Sequence, residues 1–191
     1  DGNARVLMAI GEREKKHSLC FGLGIGGKYA EHGVPLEPAK LLDGKWHLVS
    51  VTFDGKAIKF YADGQEIGAS TKATGSIDTQ GEAPAYIGSD KGTREFFKGG
   101  IDDVRVYDRA LSTGEIKTMA LADGKATVDG IVGWWKLDGD LKNSAAKTAT
   151  GSEAQFRGVD RKWKATPFSL AGARLDIRAA GEAAVRVTIR P

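Results

Sequence analysis

The chain has 191 residues, 41% hydrophobic and 28% charged, enough for one sizeable core, and its 26 glycines fit a fold with many turns. The formal charge of +3 comes from interspersed basic and acidic residues with no long basic run, which argues against nucleic-acid binding. No apolar run approaches the length of a membrane span and no signal peptide opens the chain. It begins at Asp1 without Met and reads as a processed product or an excised fragment, compatible with a removed export signal. Cys20 is the single cysteine, which excludes an internal disulfide and leaves the redox compartment open.

In chain order, Val6–Ile10 is an apolar strand, and Gly11-Glu-Arg-Glu-Lys-Lys-His17 is a solvated charge run, read as a loop or an exposed hairpin. Leu19-Cys-Phe-Gly-Leu-Gly-Ile25 is a glycine-rich apolar strand in which Cys20 reads as a buried thiol. Residues 26–33 form a polar, glycine-containing loop with Tyr29 and His32. From Trp46 to Ser70 the pattern is explicit. His47, Val49, Val51 and Phe53 alternate with Leu48, Ser50 and Thr52, and Asp54-Gly55 then supplies a two-residue hairpin turn. Ile58 and Phe60 continue the buried face, and Asp63-Gly64 turns the chain into a third strand. The three strands form an antiparallel meander.

Further on, Ile101-Asp-Asp-Val-Arg-Val-Tyr107 alternates as a strand, and Ser112-x-x-Glu115 is a capping box that starts one short helix near 113–122. A polar linker at 124–130 follows. Ile131-Val-Gly-Trp-Trp-Lys-Leu-Asp-Gly-Asp140 is the next strand and turn; the tail adds Trp163, Phe168–Leu170, Leu175–Ile177 and the alternating Val185, Val187, Ile189. The fold class is all-β.

Trp46-His, Val51-Thr-Phe-Asp-Gly55 and Phe60-Tyr-Ala-Asp-Gly64, followed by Tyr86-Ile-Gly88, Phe97-Lys-Gly-Gly-Ile-Asp-Asp-Val-Arg-Val-Tyr107 and Ala110-Leu-Ser112 with Glu115-Ile116, resemble the LamG-like family of the concanavalin A-like lectin-glucanase superfamily. The resemblance implies an antiparallel β-sandwich of the jelly-roll type. It also implies a rotated order, because the segment 131–140 looks like the family's opening strand and here follows its closing one. Residues 1–123 then correspond to the family's middle and C-terminal part, and 131–191 to its N-terminal part. That part completes the same sandwich in cis or another chain's in trans; a single altered domain is the third account. Closure in one chain predicts that Val6–Ile10 and Val185–Ile189 are neighbours, with Asp1 and Pro191 close at the rim.

Asp102 shares its parity with Val104 and Val106 and is expected to point inward, where an unpaired charge is costly. A hard cation would serve it, and the resemblance implies a structural calcium whose further ligands come from Asp138 or Asp140. The alternatives are that Asp102 pairs with Arg105 or Lys136 and that Asp138-Gly139 only turns the chain. Catalysis is not expected: the strand-borne carboxylate pairs of glycoside hydrolases are missing, no nucleophile elbow or phosphate loop is present, and His17, His32 and His47 lack metal spacing. The expectation is a non-catalytic extracellular or cell-surface recognition or adhesion module for a glycan, with Tyr29, His32, Arg94 and Phe96 as candidate ligand contacts on rim loops and Trp134, of the Trp134-Trp135 pair, as a further one. The rivals are a structural subunit self-associating through exchanged halves and an accessory domain of a larger secreted hydrolase.

Overall fold

The computed structural model describes residues 6–13, 16–41, 43–78, 85–89, 96–97, 99–122, 126–139, 142–145, 168–170 and 183–190. Strands β1 (Val6–Arg13), β2 (Lys16–Ile25) and β3 (Lys28–Pro35) make an antiparallel sheet in the order β1-β2-β3. Of the two readings of the charge run, its described residues fit the hairpin, since Glu12 pairs with His17 and Arg13 with Lys16 in register. Gly26 and Gly27, at φ 58 and 75, turn β2 into β3, and the Asp78 carboxylate accepts from both of their amides at 2.9 and 2.8 Å.

A four-residue helix α1 (Pro38–Leu41), which sequence patterning did not reveal, precedes the meander β4 (His47–Phe53), β5 (Ile58–Ala62) and β6 (Gln65–Ser70). The Asp63-Gly64 turn has two residues with positive φ, 48 and 80, as a primed hairpin turn requires. The Asp54-Gly55 turn is longer than its sequence suggests. Phe53 pairs with Ile58, and the four-residue connection is held by Asp54 Oδ1 accepting from the amides of Lys56 and Ala57.

Next come β7 (Ala85–Ile87), β8 (Gly100–Tyr107), α2 (Thr113–Leu121), β9 (Ile131–Trp135), β10 (Phe168–Leu170) and β11 (Ala183–Arg190). The second sheet has the order β6-β5-β4-β11-β8-β9, and β10 pairs with β7. The chain's last described strand therefore lies in the middle of that sheet, antiparallel to both β4 and β8. This differs from the adjacency expected of Val6–Ile10 and Val185–Ile189: β1 pairs with β2 in the other sheet. Both segments alternate well enough to pair with any strand, and their sequences carry no register. Asp1 and Pro191 lie outside the described residues.

The two sheets enclose one core. Leu19, Phe21, Leu23 and Val34 from the first meet Val49, Val51, Phe53, Ile58 and Phe60 from the second, with Val6, Met8 and Ile10 packed against them. The outer face of the six-stranded sheet is covered too. Helix α2 has the predicted capping box, with Ser112 Oγ accepting from Glu115 N and Glu115 reaching back to Ser112 N. Arg109 doubles that anchor: its guanidinium bonds both Glu115 oxygens and holds that carboxyl down to about 2. Ile116 and Met119 then pack over Tyr61 and Tyr107, and the Tyr107 hydroxyl donates to Met119 Sδ.

Candidate functional site

Because β4 and β8 both run antiparallel to β11, they run parallel to each other and begin at the same end of the sandwich. That end gathers Trp46 just before β4, Phe96 ahead of β8, the Asp63-Gly64 turn and the Leu137–Gly139 turn after β9. Trp46 is 44% and Phe96 42% exposed, unusual for such large apolar side chains. The Trp46 ring rests over Gly100, where a Cβ would lie 2.6 Å from it, so the glycine is needed for the close approach.

Beneath Trp46, the buried His47 ring is clamped by two carboxylates: Nδ1 lies 2.8 Å from Asp63 Oδ2 and Nε2 2.9 Å from Asp43 Oδ1. Burial disfavours charge on the ring, but the two carboxylates more than offset this and hold its pKa above the ordinary histidine value. The same contact, with the Lys45 amide, pushes the Asp43 carboxyl far down. Only the imidazolium donates from both nitrogens, so the charged ring ties the Asp43 loop to the Asp63 turn. The Leu48 amide donates to Asp63 Oδ1, completing the tie.

At the start of β8 alternation breaks. Arg105 pairs with Arg186 but Asp102 with Thr188, so one extra residue of β8 is accommodated there, and Asp103 adopts φ 49. The bulge puts Asp102 in register with Thr188 and Leu48, the outer face, rather than on the inner face that parity with Val104 implied. Arg105, fully buried on that outer face, directs Nε and Nη2 to the two oxygens of Asp103 at 2.9 and 3.1 Å and Nη1 to Ala126 O at 2.6 Å. Arg105 therefore pairs with Asp103. Trp134, opposite Arg105 in β9, donates Nε1–H to Asp103 Oδ1 at 2.7 Å, and its ring carries the Arg105 guanidinium at 4.3 Å and Lys136 Nζ at 4.7 Å.

The candidate contacts fall in different places. Tyr29 and His32 lie in strand β3, not on a loop, and on opposite faces of it. The Tyr29 ring covers Gly22 and its hydroxyl donates to Glu31 at 2.8 Å; His32 Nδ1 lies 3.2 Å from Ser70 Oγ of β6. Trp135 is buried in the core, and half-buried Trp134 is the outward member of that pair. Phe96 is at the aromatic rim, and Arg94 lies outside the described residues. Of the three aspartates, Asp102 is half-buried, Asp138 is exposed and Asp140 lies outside the described residues. Among the described residues no group of three or more His, Cys, Asp or Glu is placed to hold a metal ion. Asp102 and Asp138 do not by themselves furnish the six to eight oxygens that calcium takes.

The sequence reading used Trp46-His47 as a family motif and Asp63 as a turn residue, and gave none of Trp46, His47, Asp43 and Asp63 a place in the site. What brings Asp63 to His47 is the β4–β5 register, which pairs Val49 with Ala62 across the four-residue connection and sets Asp63 beside Leu48; the two-residue turn read from the sequence does not give that register.

A laminin G family model, described as the concanavalin A-like lectin/glucanases superfamily, matches residues 9–117, more than half of the chain. The match ends within α2, so β9, β10 and β11 lie beyond it. No curated protein and no solved structure matches the chain. Laminin G-like domains are in general carbohydrate- or ligand-binding modules and are generally non-catalytic. The antiparallel sandwich, the Trp46-His47 hairpin and the closing strand β8 agree with that match, and the chain belongs to the laminin G-like family of the concanavalin A-like lectin/glucanase superfamily.

Proposed function

We propose that the chain is a non-catalytic extracellular or cell-surface recognition module that binds a glycan at the Trp46 rim. The observation that carries this is the exposure of Trp46, 44%, on a rigid base: its ring lies on the Gly100 backbone and the residue after it is locked by two carboxylates. A flat aromatic face of this kind suits the apolar face of a sugar ring, and the exposed Asp43 and Lys45 next to it supply hydrogen-bonding groups. On a glycan array the wild-type protein binds a defined subset and Trp46→Ala loses that binding while melting at a similar temperature. Absence of binding by wild type, or full binding by Trp46→Ala, would sink the proposal.

A self-contained module is favoured over a subunit assembled from exchanged halves by the place of β11 between β4 and β8 of the same chain. A sedimentation series then gives a monomer at every practical concentration, and a dominant dimer or polymer points to exchange. Calcium rests on the family resemblance alone. Equal melting temperatures in calcium and in chelator would remove it.

A further inference from the structure

On the outer face of the six-stranded sheet, at the end away from Trp46, the β4–β5 connection and the start of α2 border a pocket of about 270 Å³ that is partly open to solvent. Strand β4 separates the two ends, and from Trp46 to Asp54 the chain spans about 25 Å at roughly 3.3 Å per residue. The cavity is thus a separate place from the aromatic rim. We propose that it is a second site, for a single neutral sugar ring; the proposal rests on the carbohydrate reading above.

Size sets the first limit. The volume falls below the roughly 300–1,000 Å³ of sites for drug-sized ligands, leaving room for one ring rather than an oligosaccharide. The lining chemistry sets the second. Exposed Thr113, 3.1 Å from the Tyr61 hydroxyl, presents a group that both donates and accepts above the nearly buried Thr52 and Tyr61, while Ala57 and Leu111 form an apolar wall. That mixture matches a ring with hydroxyls on its edge and C–H groups on its face.

Charge sets the third. The lining carries one carboxylate, Asp54, and one ammonium, Lys59. Both backbone amides that bond Asp54 go to Oδ1, so Oδ2 is available to accept from a ligand hydroxyl. These amides also hold the Asp54 carboxyl below its ordinary pKa, so it is an acceptor and repels anions. An anion drawn by Lys59 and the N-terminus of α2 meets that carboxylate, which favours a neutral ligand.

The test is an amide-resolved NMR titration of the whole chain with methyl glucoside, methyl galactoside and methyl mannoside, with sodium sulfate as the anionic control. At least one glycoside is expected to shift resonances of residues 52–61 and 110–114 saturably, and Trp46→Ala should leave those shifts unchanged. Ala57→Phe, which fills the pocket, and Lys59→Ala, which removes a half-buried ammonium that also pairs with Glu66 at 3.6 Å, should each weaken binding by about tenfold or more. Sugar shifts confined to the Trp46 rim would overturn the second site and leave the carbohydrate reading standing. No glycoside shift anywhere would overturn both. Shifts caused by sulfate alone would overturn the neutral-sugar assignment.

Discussion

On the inner face of the six-stranded sheet Val49, Val51, Phe53, Ile58 and Phe60 are buried against the three-stranded sheet. On its outer face Ser50, Thr52, Tyr61, Arg105 and Tyr107 are buried nearly as completely, at 0 to 3% exposure. The inner face is held by area removed from water, which is tolerant of direction. The outer face is held by geometry: a carboxylate shared by Arg105 and Trp134, a capped helix and hydroxyl contacts to α2. A strand can therefore have two buried faces that answer to different physics, one to volume and one to pairing.

The largest expected effect separates these two. Arg105→Met leaves Asp103 without its guanidinium in a mostly buried setting and should cost about 3–5 kcal/mol in denaturant unfolding. Phe60→Leu on the inner face, a modest loss of buried volume, should cost about 1–2 kcal/mol. Adding Asp103→Asn to Arg105→Met should restore part of the loss, as coupled partners do. If Arg105→Met costs no more than Phe60→Leu, the outer face is not held by pairing and the contrast collapses.

A smaller effect comes from His47, a polar residue placed at the rim of the inner face. Its folded pKa is raised above the unfolded value of 6.5, so its contribution is complete below that value and is lost as pH rises through the folded pKa. Melting temperature should fall across that window on the alkaline side, and His47→Gln should flatten the fall. An unchanged pH profile in His47→Gln would show that the Asp43–His47–Asp63 clamp does not bear on stability.

The smallest effect is expected at Ser50. Removing a buried hydroxyl that has no partner among the described residues should leave stability unchanged or raise it by up to about 1 kcal/mol in Ser50→Ala. A loss of more than about 1 kcal/mol would mean that the hydroxyl is satisfied.

Local chemistry alone determined a good part of this protein. The meander from His47 to Ser70 was legible because period-two alternation and the Asp63-Gly64 turn are properties of neighbouring residues. The helix was legible because a capping box is written within four residues, Ser112 to Glu115. The family followed from several such motifs in order. What alternation did not contain is which faces are covered. It placed Asp102 inward because it had no knowledge of the bulge at Asp103, and it offered Arg105 only as a partner for Asp102 because the cover that buries Arg105, α2 and the segment around Ala126, comes from further along the chain. Tyr29 and His32 read as loop residues because glycine-rich polar sequence marks turns, yet pairing with β2 makes them a strand. Tertiary structure alone decided that β11 inserts between β4 and β8, and hence that Trp46, Phe96 and the Asp63 turn share one end. Strand order depends on contacts between residues 77 to 142 positions apart, and no local pattern in either partner specifies them.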